Sequence, residues 1–366
     1  MNLNKTSRSI IILAFFSITL GIFVAPNDAQ PHVQAASSLL EASHLTNTPF
    51  PTSQPEPRIS LMFTGDINLG RCIAKASIIA KDYTYPFHYV AEKLRSADIT
   101  IGSLDGTISN ASPPMSCPDS MNLIGPQNMV QGLQFAGFDV ITVATNHIKD
   151  CGERGYHCED HAFLDTINNL STAGIQPVGG GQDLNDSRKP VVIEKQGVRF
   201  AFVAIDEVDQ RVWATENKPG AAPLSAETIE QIKADIISAR KIADVVIVLP
   251  QWGIEYASQP EEAQKIWAQE FLDAGATLVV GNGPHIVQPM EVFPNGIAYY
   301  ALGNFVFDQG QEFRRESVVA EVIFNGNHLE SSQLLPVYIN YFTYQPDWAD
   351  GSEAKKIMER ATPISQ

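Results

Sequence analysis

The sequence predicts an α/β fold, and three observations support it. From Ile59 onward, short apolar runs alternate with amphipathic helical patterns, which is the pattern of strands paired in parallel through helical crossovers. The run Val245–Leu249 is apolar throughout, as expected for a strand buried on both faces. The last part of the domain, up to about Tyr341, is mostly strand-like and is punctuated by glycines. This late group of strands indicates a second sheet.

Individual elements follow from apolar and β-branched runs for strands and from helical periodicity for helices. The predicted strands are Ile59–Thr64, Ile99–Leu104, Val140–Ala144, the hairpin Val191–Glu194 and Arg199–Ala204, Val245–Leu249, and Thr277–Val280. The predicted helices are Asn128–Ala136, His161–Ala173, Ser225–Ile242 and Glu261–Ala274. One domain is therefore expected over residues 59–345, followed by a tail over 346–366 that forms a short helix and a loose end.

The N-terminus has the pattern of an export signal. Lys5 and Arg8 supply positive charge, and the run Ile10–Val24 is apolar apart from three small or polar residues. The run is shorter than the span of about 20 residues that a membrane helix needs. Residues 1–29 are thus predicted to be a signal peptide or an uncleaved anchor. Residues 30–58, rich in Ser, Thr and Pro, are predicted to be a linker. The protein is expected to be exported and either secreted or held at the cell surface.

The net charge and the cysteine content indicate which classes of partner and which cellular compartment to expect. The net charge of −16 argues against nucleic acid as a partner. Export favours disulfides among the four cysteines, Cys72, Cys117, Cys151 and Cys158. The short step from Cys151 to Cys158 could close a local loop and leave Cys72 with Cys117. Sequence alone leaves all three pairings open. A cysteine metal site is the weaker alternative, because the chain has no C-x-x-C pair.

Polar residues follow five of the predicted strands, where ligands bind in open α/β sheets. The strand ends are followed by Gly65-Asp66, Asp105-Gly106, Asn146-His147, Gln251 to Glu255, and Gly281 to His285. Each of these could be an ordinary turn or helix cap. Their coincidence at strand ends favours a site. Mixed oxygen and imidazole ligands suit Mn, Fe, Zn or Mg, and a nearby His could protonate a leaving group.

Nine segments in a fixed order resemble the CapA-type family of poly-γ-glutamate capsule synthesis proteins, which is related to calcineurin-like metallophosphoesterases. The segments are Phe63–Arg71, Gly102–Gly106, Ala136–Asp139, Ala144–His147, Gly174–Gly179, Gln251–Tyr256, Asp273–Ala276, Gly281–His285 and Leu302–Asp308. The resemblance implies a metallophosphatase-like four-layer sandwich, in which two mixed β-sheets are flanked by helices. It also implies a role in making, exporting or anchoring the polymer at the cell surface.

Site residues are carried over from the resemblance position by position. The implied ligands of one or two divalent metal ions are Asp66, Asp105, Asn146 and His285, and the implied proton donor is His147. The implied contacts to substrate are Arg71, Gln251, Glu255 and Asn304. The implied partners are an anionic polymer, such as poly-γ-glutamate, or membrane synthase subunits. An acidic chain would need a local basic patch or a bound cation to hold such a polymer.

The sequence departs from the family pattern at five positions. Gln251, Asn282 and Gly283 stand where the family usually has His, Ser103 stands where it usually has Asn, and Asp105 stands where it usually has Glu. Fewer imidazoles imply fewer bound ions. Three hypotheses therefore remain open: a capsule protein with a metal-dependent hydrolase site, a non-catalytic scaffold that binds the polymer or a partner, and an exported phosphoesterase unrelated to capsule.

Overall fold

The computed structural model describes residues 56–111, 117, 122–151, 158 and 160–363. The predicted signal peptide and nearly all of the predicted linker lie outside these residues. The described strands are β1 Arg58–Ile67, β2 Ile99–Leu104, β3 Thr107–Ile108, β4 Ile124–Gly125, β5 Val140–Thr142, β6 Gln176–Val178, β7 Gly180–Gly181, β8 Val191–Lys195, β9 Val198–Asp206, β10 Gly220–Ala221, β11 Val245–Gln251, β12 Leu278–Val280, β13 Met290–Phe293, β14 Gly296–Tyr299, β15 Asn304–Val306, β16 Glu316–Asn325, β17 His328–Ile339 and β18 Pro346–Trp348. The described α-helices are α1 Arg71–Ala80, α2 Ala91–Leu94, α3 Val130–Ala136, α4 His161–Thr172, α5 Leu184–Ser187, α6 Ile229–Ala239, α7 Glu262–Asp273 and α8 Gly351–Arg360.

Most strands belong to two mixed sheets. The first has the order β18-β17-β16-β1-β2-β5-β6, and β15 pairs in parallel with the end of β1. The second has the order β13-β14-β12-β11-β9-β8. In each sheet the central pairs are parallel, whereas β16 to β18 and the edge strands β8 and β13 pair antiparallel. The parallel strands of each sheet thus deliver their carboxyl ends to one edge.

Apolar side chains hold the sheets face to face. Phe200 of β9 and Phe324 of β16 pack edge to face with ring centroids 5.4 Å apart, and both are fully buried. A second core lies on the outer face of the second sheet, where α7 contributes Phe271 against Trp252. Helices α3 and α4 contribute buried side chains to the core of the first sheet. The predicted four-layer α/β sandwich is confirmed.

Three predictions about elements need correction. Helix α1 was not predicted, and it lacks sequence signals for its start, because no side chain caps it and Arg71 has a φ of 44°. Helix α6 begins later than Ser225, since Ser225 and Thr228 bond to each other in a turn. The tail contains the predicted short helix, α8, whose Ile357 is fully buried, but it is not separate from the domain, because β18 is an edge strand of the first sheet. Its last residues, 364–366, lie outside the described residues.

Two disulfides join the cysteines of the described region. Cys72 pairs with Cys117, and Cys151 pairs with Cys158. Of the three pairings left open by sequence, the structure selects the one that includes the short local loop. Within the described part of the chain, no helix has the length and apolar character needed to cross a membrane.

Candidate metal centre and adjoining groove

Three ionisable side chains meet where the edges of the two sheets face each other. Asp66 lies near the end of β1, Asp105 follows β2, and His285 lies in the loop after β12. His285 Nδ1 is 3.3 Å from Asp66 Oδ2, and His285 Nε2 is 3.8 Å from Asp105 Oδ2. Both carboxylates are fully buried. The imidazole from the second sheet therefore faces two buried carboxylates from the first.

Close backbone approach places Asp66 in this cluster. The Asp66 N–H donates to the carbonyl of Gly303 at 2.9 Å, and Asp66 pairs in register with Asn304 of β15. A Cβ at Gly65 would collide with that same Gly303 carbonyl, so only glycine permits the approach. The ladder shifts register just after Asp66, and such irregularities redirect side chains at functional sites.

Asn304 holds His285 in place through both its backbone and its ring. His285 has a φ of 59°, a strained conformation for a non-glycine residue. The Asn304 amide Nδ2 donates to the His285 carbonyl at 3.1 Å and to the Arg314 carbonyl at 2.9 Å. Its Oδ1 is therefore turned to His285 Nδ1, 2.9 Å away. Since Oδ1 only accepts, Nδ1 donates a proton to it, and Nε2 faces Asp105.

The charges of the cluster are strongly coupled. Burial opposes a charged His285, but the hydrogen bond and negative charge of Asp66, together with Asp105, outweigh it and raise the pKa of His285 to about 9. Burial raises the pKa of Asp105 above its ordinary value, against the opposing charges of His147 and His285. Two buried carboxylates that face the same imidazole favour a neighbouring cation.

Unpaired oxygens show what kind of cation would fit. Asp66 Oδ1 and both oxygens of Asp105 are buried and accept no hydrogen bond from the described residues. Unsatisfied buried carboxylate oxygens and one imidazole nitrogen match the ligands of a divalent ion such as Mn²⁺, Fe²⁺ or Zn²⁺. As the side chains stand, no group of three His, Cys, Asp or Glu in the described region is arranged to hold an ion. The residues nevertheless fit one ion, which would replace the contacts that His285 makes with the carboxylates.

His147 and Asp150 form a pair beside this cluster. His147 Nδ1 lies 2.7 Å from Asp150 Oδ2, which also accepts the backbone N–H of Leu123. Burial disfavours a charged His147, but Asp105 and the hydrogen bond with Asp150 outweigh it and raise the pKa of His147 to about 9. Because Asp150 orients Nδ1, Nε2 is the nitrogen left to exchange a proton.

Asn146 and His147 line an open groove of about 510 Å³. Its charged residues already have partners: Arg211 binds Asp209 within the groove, and Lys149 binds Asp160 at 2.8 Å and the Pro219 carbonyl at 2.7 Å. Asn146 is half-buried at this groove, next in the chain to His147. The groove is thus reachable from solvent, whereas Asp66 and Asp105 are not exposed.

Arg71, a predicted substrate contact, forms an ion pair with Asp308. Its Nε donates to Asp308 Oδ2 at 3.1 Å, and its Nη2 contacts Oδ1. Asp308 is almost fully buried and also accepts the N–H of Cys72 and the amide of Asn68. The guanidinium fork therefore faces an internal carboxylate, and the pair fastens α1 to the segment after β15.

The other predicted substrate contacts differ in exposure. Glu255 is exposed at the rim and hydrogen-bonds Tyr256, and burial together with Glu255 raises the pKa of Tyr256 to about 12. Gln251 is only 2% exposed and lines a buried cavity between the sheets. Asn304 is fully buried and its amide is occupied by His285 and Arg314. Of these three side chains, only Glu255 is directly accessible in this arrangement.

Sequence reasoning missed three carboxylates. Asp150 follows His147 by three residues, a spacing that could have suggested the pair. Asp206 ends β9 beside Gln251 of β11, so the strand-end rule that found the other residues would have found it too. Asp206 is buried, and burial raises its pKa to about 7. Asp308 offered no local signal, since its partner Arg71 lies 237 positions away.

Comparison with known families agrees with the order of the segments along the chain. Residues 60–309 match the model of the bacterial capsule synthesis protein PGA_cap. The chain belongs to this family. The predicted CapA-type resemblance is thereby confirmed, and the match includes Asp66, Asp105, His147 and His285.

Two curated members of this capsule family are similar over most of their length. The PGA biosynthesis protein CapA of Bacillus subtilis is 29% identical over 320 residues, covering 87% of this chain and 81% of that protein. The capsule biosynthesis protein CapA of Bacillus anthracis is 28% identical over 293 residues, covering 79% and 69%. A solved phosphatase from Mycoplasma pneumoniae is 12% identical with a TM-score of 0.49, covering 79% and 96%. This likeness is too weak to support an argument about the fold. The α/β sandwich is established by the strand order and pairing of this chain.

One departure from the family pattern has a backbone cause. Gly283 has a φ of 115°, and a Cβ there would lie 2.6 Å from the Trp252 carbonyl oxygen. An imidazole at position 283 is therefore excluded unless the backbone moves. The two disulfides agree with an oxidising compartment, as expected for a capsule-related protein outside the cytosol.

Proposed function

We propose that this protein acts at the cell surface in the biosynthesis or export of poly-γ-glutamate or a similar anionic capsule polymer, through a site that binds one divalent ion. The observation that carries the proposal is the buried Asp66–His285–Asp105 cluster with its unpaired carboxylate oxygens beside the His147 groove. Membership in the capsule family supports the polymer. The acidic chain supports the need for a cation between protein and polymer.

Asp66, Asp105 and His285 would hold the ion, and Asn146 would complete the set from the groove. A bound divalent ion polarises an ester, amide or phosphoryl oxygen and activates water. Asp150 accepts the hydrogen bond from Nδ1 of the His147 imidazolium, and Nε2 would donate the other ring proton to a leaving group in the groove. Asn304 keeps His285 Nε2 turned to the cluster. These roles describe a hydrolase-type site whose substrate bond is a phosphoester or a γ-glutamyl amide.

Metal analysis tests the site. The full exported chain is purified, stripped with chelator and titrated with Mn²⁺, Zn²⁺ and Mg²⁺ by calorimetry. We expect one ion per chain in wild type and none in Asp105→Asn or His285→Gln. Glu92→Gln, at an exposed surface position, is the matched control and should bind normally. Wild-type protein that binds no ion would overturn the metal proposal.

Turnover is measured separately on a phosphodiester and on poly-γ-glutamate. We expect metal-dependent cleavage of one of these substrates. His147→Ala should lower that activity by about 10²- to 10⁴-fold and leave the metal affinity unchanged. Equal activity in wild type and His147→Ala would remove the proton-donor role.

A second candidate is a non-catalytic module that binds the polymer or a synthase subunit. The backbone at Gly283 favours it, because position 283 cannot supply an imidazole in addition to that of His285. So does the Arg71–Asp308 pair, which gives the guanidinium an internal partner. Metal binding and polymer binding without turnover on either substrate would select this candidate over the hydrolase.

A further inference from the structure

A small buried cavity lies between the two sheets, two residues further into the strands than the carboxylate cluster. Thr64 and Ser103 line it from the first sheet, and they precede Asp66 and Asp105 by two positions. Gln251 and Asn282 line it from the second sheet, where their backbones pair as a parallel bridge. All of these residues are buried. The cavity is therefore buried, and its lining is part polar and part apolar.

Several polar atoms at this cavity have no protein partner. Ser103 Oγ, both amide atoms of Gln251 and Asn282 Oδ1 make no hydrogen bond with the described residues. Ser103 is 1% exposed, Gln251 2% and Asn282 6%. Buried polar groups are nearly always satisfied by protein or by ordered water. Four unsatisfied atoms from three side chains around one cavity therefore indicate that a small hydrogen-bonding molecule is bound there.

The volume of the cavity and the chemistry of its lining indicate what that molecule is. The cavity measures about 10 Å³, close to the lower limit for one water. Its polar side chains are hydroxyls and amides, and its remaining lining is apolar, so no carboxylate, imidazole or thiolate faces a cation. We propose that one water molecule is bound here, with one hydrogen bond each to Ser103, Gln251 and Asn282. Three bonds is the usual number for an internal water.

This water would link the two sheets directly below the site. The Asn282 amide also approaches the Thr64 carbonyl at 3.5 Å, and the next residue, Gly283, directs its N–H at Asp66 Oδ2, 3.4 Å away. Water held against Asn282 would thus help to fix the loop that carries Gly283 and His285. Gln251 would then be an internal ligand of water and not a contact to substrate. The inference is independent of the proposed function.

Crystallography of the full chain tests the site directly, with crystals grown once in chelator and once in Mn²⁺. We expect the same solvent peak under both conditions, within hydrogen-bond distance of Ser103, Gln251 and Asn282. An anomalous manganese signal in the cavity would overturn the proposal. So would a cavity without density, or a direct bond between the Gln251 and Asn282 side chains.

A solution test uses oxygen-17 relaxation dispersion, which counts long-lived internal waters. Ser103→Ala and Gln251→Leu should each lose one such water and melt at a lower temperature. Thr142→Val, which lines the same cavity but whose hydroxyl already accepts the Ala144 N–H, should keep it. If the cavity is dry, the melting temperature should change in the opposite direction. Both substitutions would then remove unsatisfied polar groups and raise the melting temperature. Using two variants keeps the test valid if one fails to fold.

Discussion

His285 Nδ1 and Asn304 Oδ1 lie 2.9 Å apart, and the Asn304 amide is anchored on its other side by two backbone carbonyls. The asparagine therefore keeps a proton on Nδ1, so that Nε2 is the nitrogen that would lose its proton to bind an ion. Partners that orient a ligating histidine in this way typically contribute 10- to 100-fold to metal affinity.

Replacing Asn304 should weaken metal binding without removing a ligand. Asn304→Leu removes the acceptor that lies 2.9 Å from His285 Nδ1 and leaves only Asp66 Oδ2 at 3.3 Å to orient the ring, so we expect the dissociation constant for Mn²⁺ to rise about 10- to 100-fold. Calorimetric titration of the metal-free protein with Mn²⁺ measures this dissociation constant. Asn217→Leu, at an exposed position, is the control and should not change the affinity. Unchanged affinity in Asn304→Leu would show that Asn304 has no part in orienting the imidazole.

Asp150 should contribute to turnover through His147. In Asp150→Asn the Leu123 N–H keeps an acceptor, but the carboxylate charge beside His147 is lost. We expect the rate constant for turnover to fall, by less than in His147→Ala, with the metal affinity unchanged. Steady-state kinetics of both variants and of the double variant are the measurement. Because the two residues act as a unit, the double variant should be no slower than His147→Ala; a further drop would argue against the pair.

Asp206 should make the protein less stable as the pH rises. Its folded-state pKa of about 7 lies above the unfolded value, so the folded state holds the proton more tightly. Stability is then lost as pH increases from about 4 to about 7, at about 1.4 kcal/mol for each unit of difference. Asp206→Asn cannot ionise and should gain stability relative to wild type over that range.

Thermal unfolding at pH 4.5 and pH 8, values chosen to bracket this window, measures the effect for Asp206→Asn. Glu92→Gln removes the same charge at an exposed position and controls for the reduced net charge of the chain. A stability difference from wild type that is equal at both pH values would contradict the assignment. In wild type the Trp213 indole N–H donates to the Asp206 carboxylate at 2.9 Å. The amide oxygen of Asp206→Asn can still accept this hydrogen bond.

The Arg71–Asp308 pair should stabilise α1. Its side chains are 11% and 1% exposed, so removing one partner strands a buried charge. We expect Arg71→Met or Asp308→Leu to cost about 3–5 kcal/mol each, and the double variant to cost less than their sum. Chemical denaturation measures the free energy of unfolding. Arg58→Met breaks an exposed pair with Glu330 and should have no resolvable effect. Additive losses in the double variant would show that the pair is not coupled.

Local sequence patterns were sufficient to predict many of the strands and several of the site residues. Strand β2 has the bounds predicted from its apolar run, and the strand-end rule identified Asp66, Asp105 and His285, which the structure brings together. These predictions succeed because a buried strand is recognisable from a few consecutive residues. Helix α1 was missed because it has no side-chain cap and begins at a residue with positive φ.

Accessibility could not be predicted in the same way. Gln251 and Glu255 are four residues apart, yet one lines a buried cavity and the other is exposed. Gln251 is the last residue of β11 and lies between the sheets, whereas Glu255 lies in the loop after that strand. Asn304 was expected to contact substrate, but its position beside β1 buries it against His285.

By itself the sequence determined the α/β class, the residue types at the strand ends and the family, because each is carried by consecutive residues. Tertiary structure alone decided that three of the five strand ends come from one sheet and two from the other, and that their edges face each other. It also decided the Arg71–Asp308 pair, the support of His285 by Asn304 and the cavity below the site. These depend on register and burial between segments far apart in the chain, and no local pattern encodes that information.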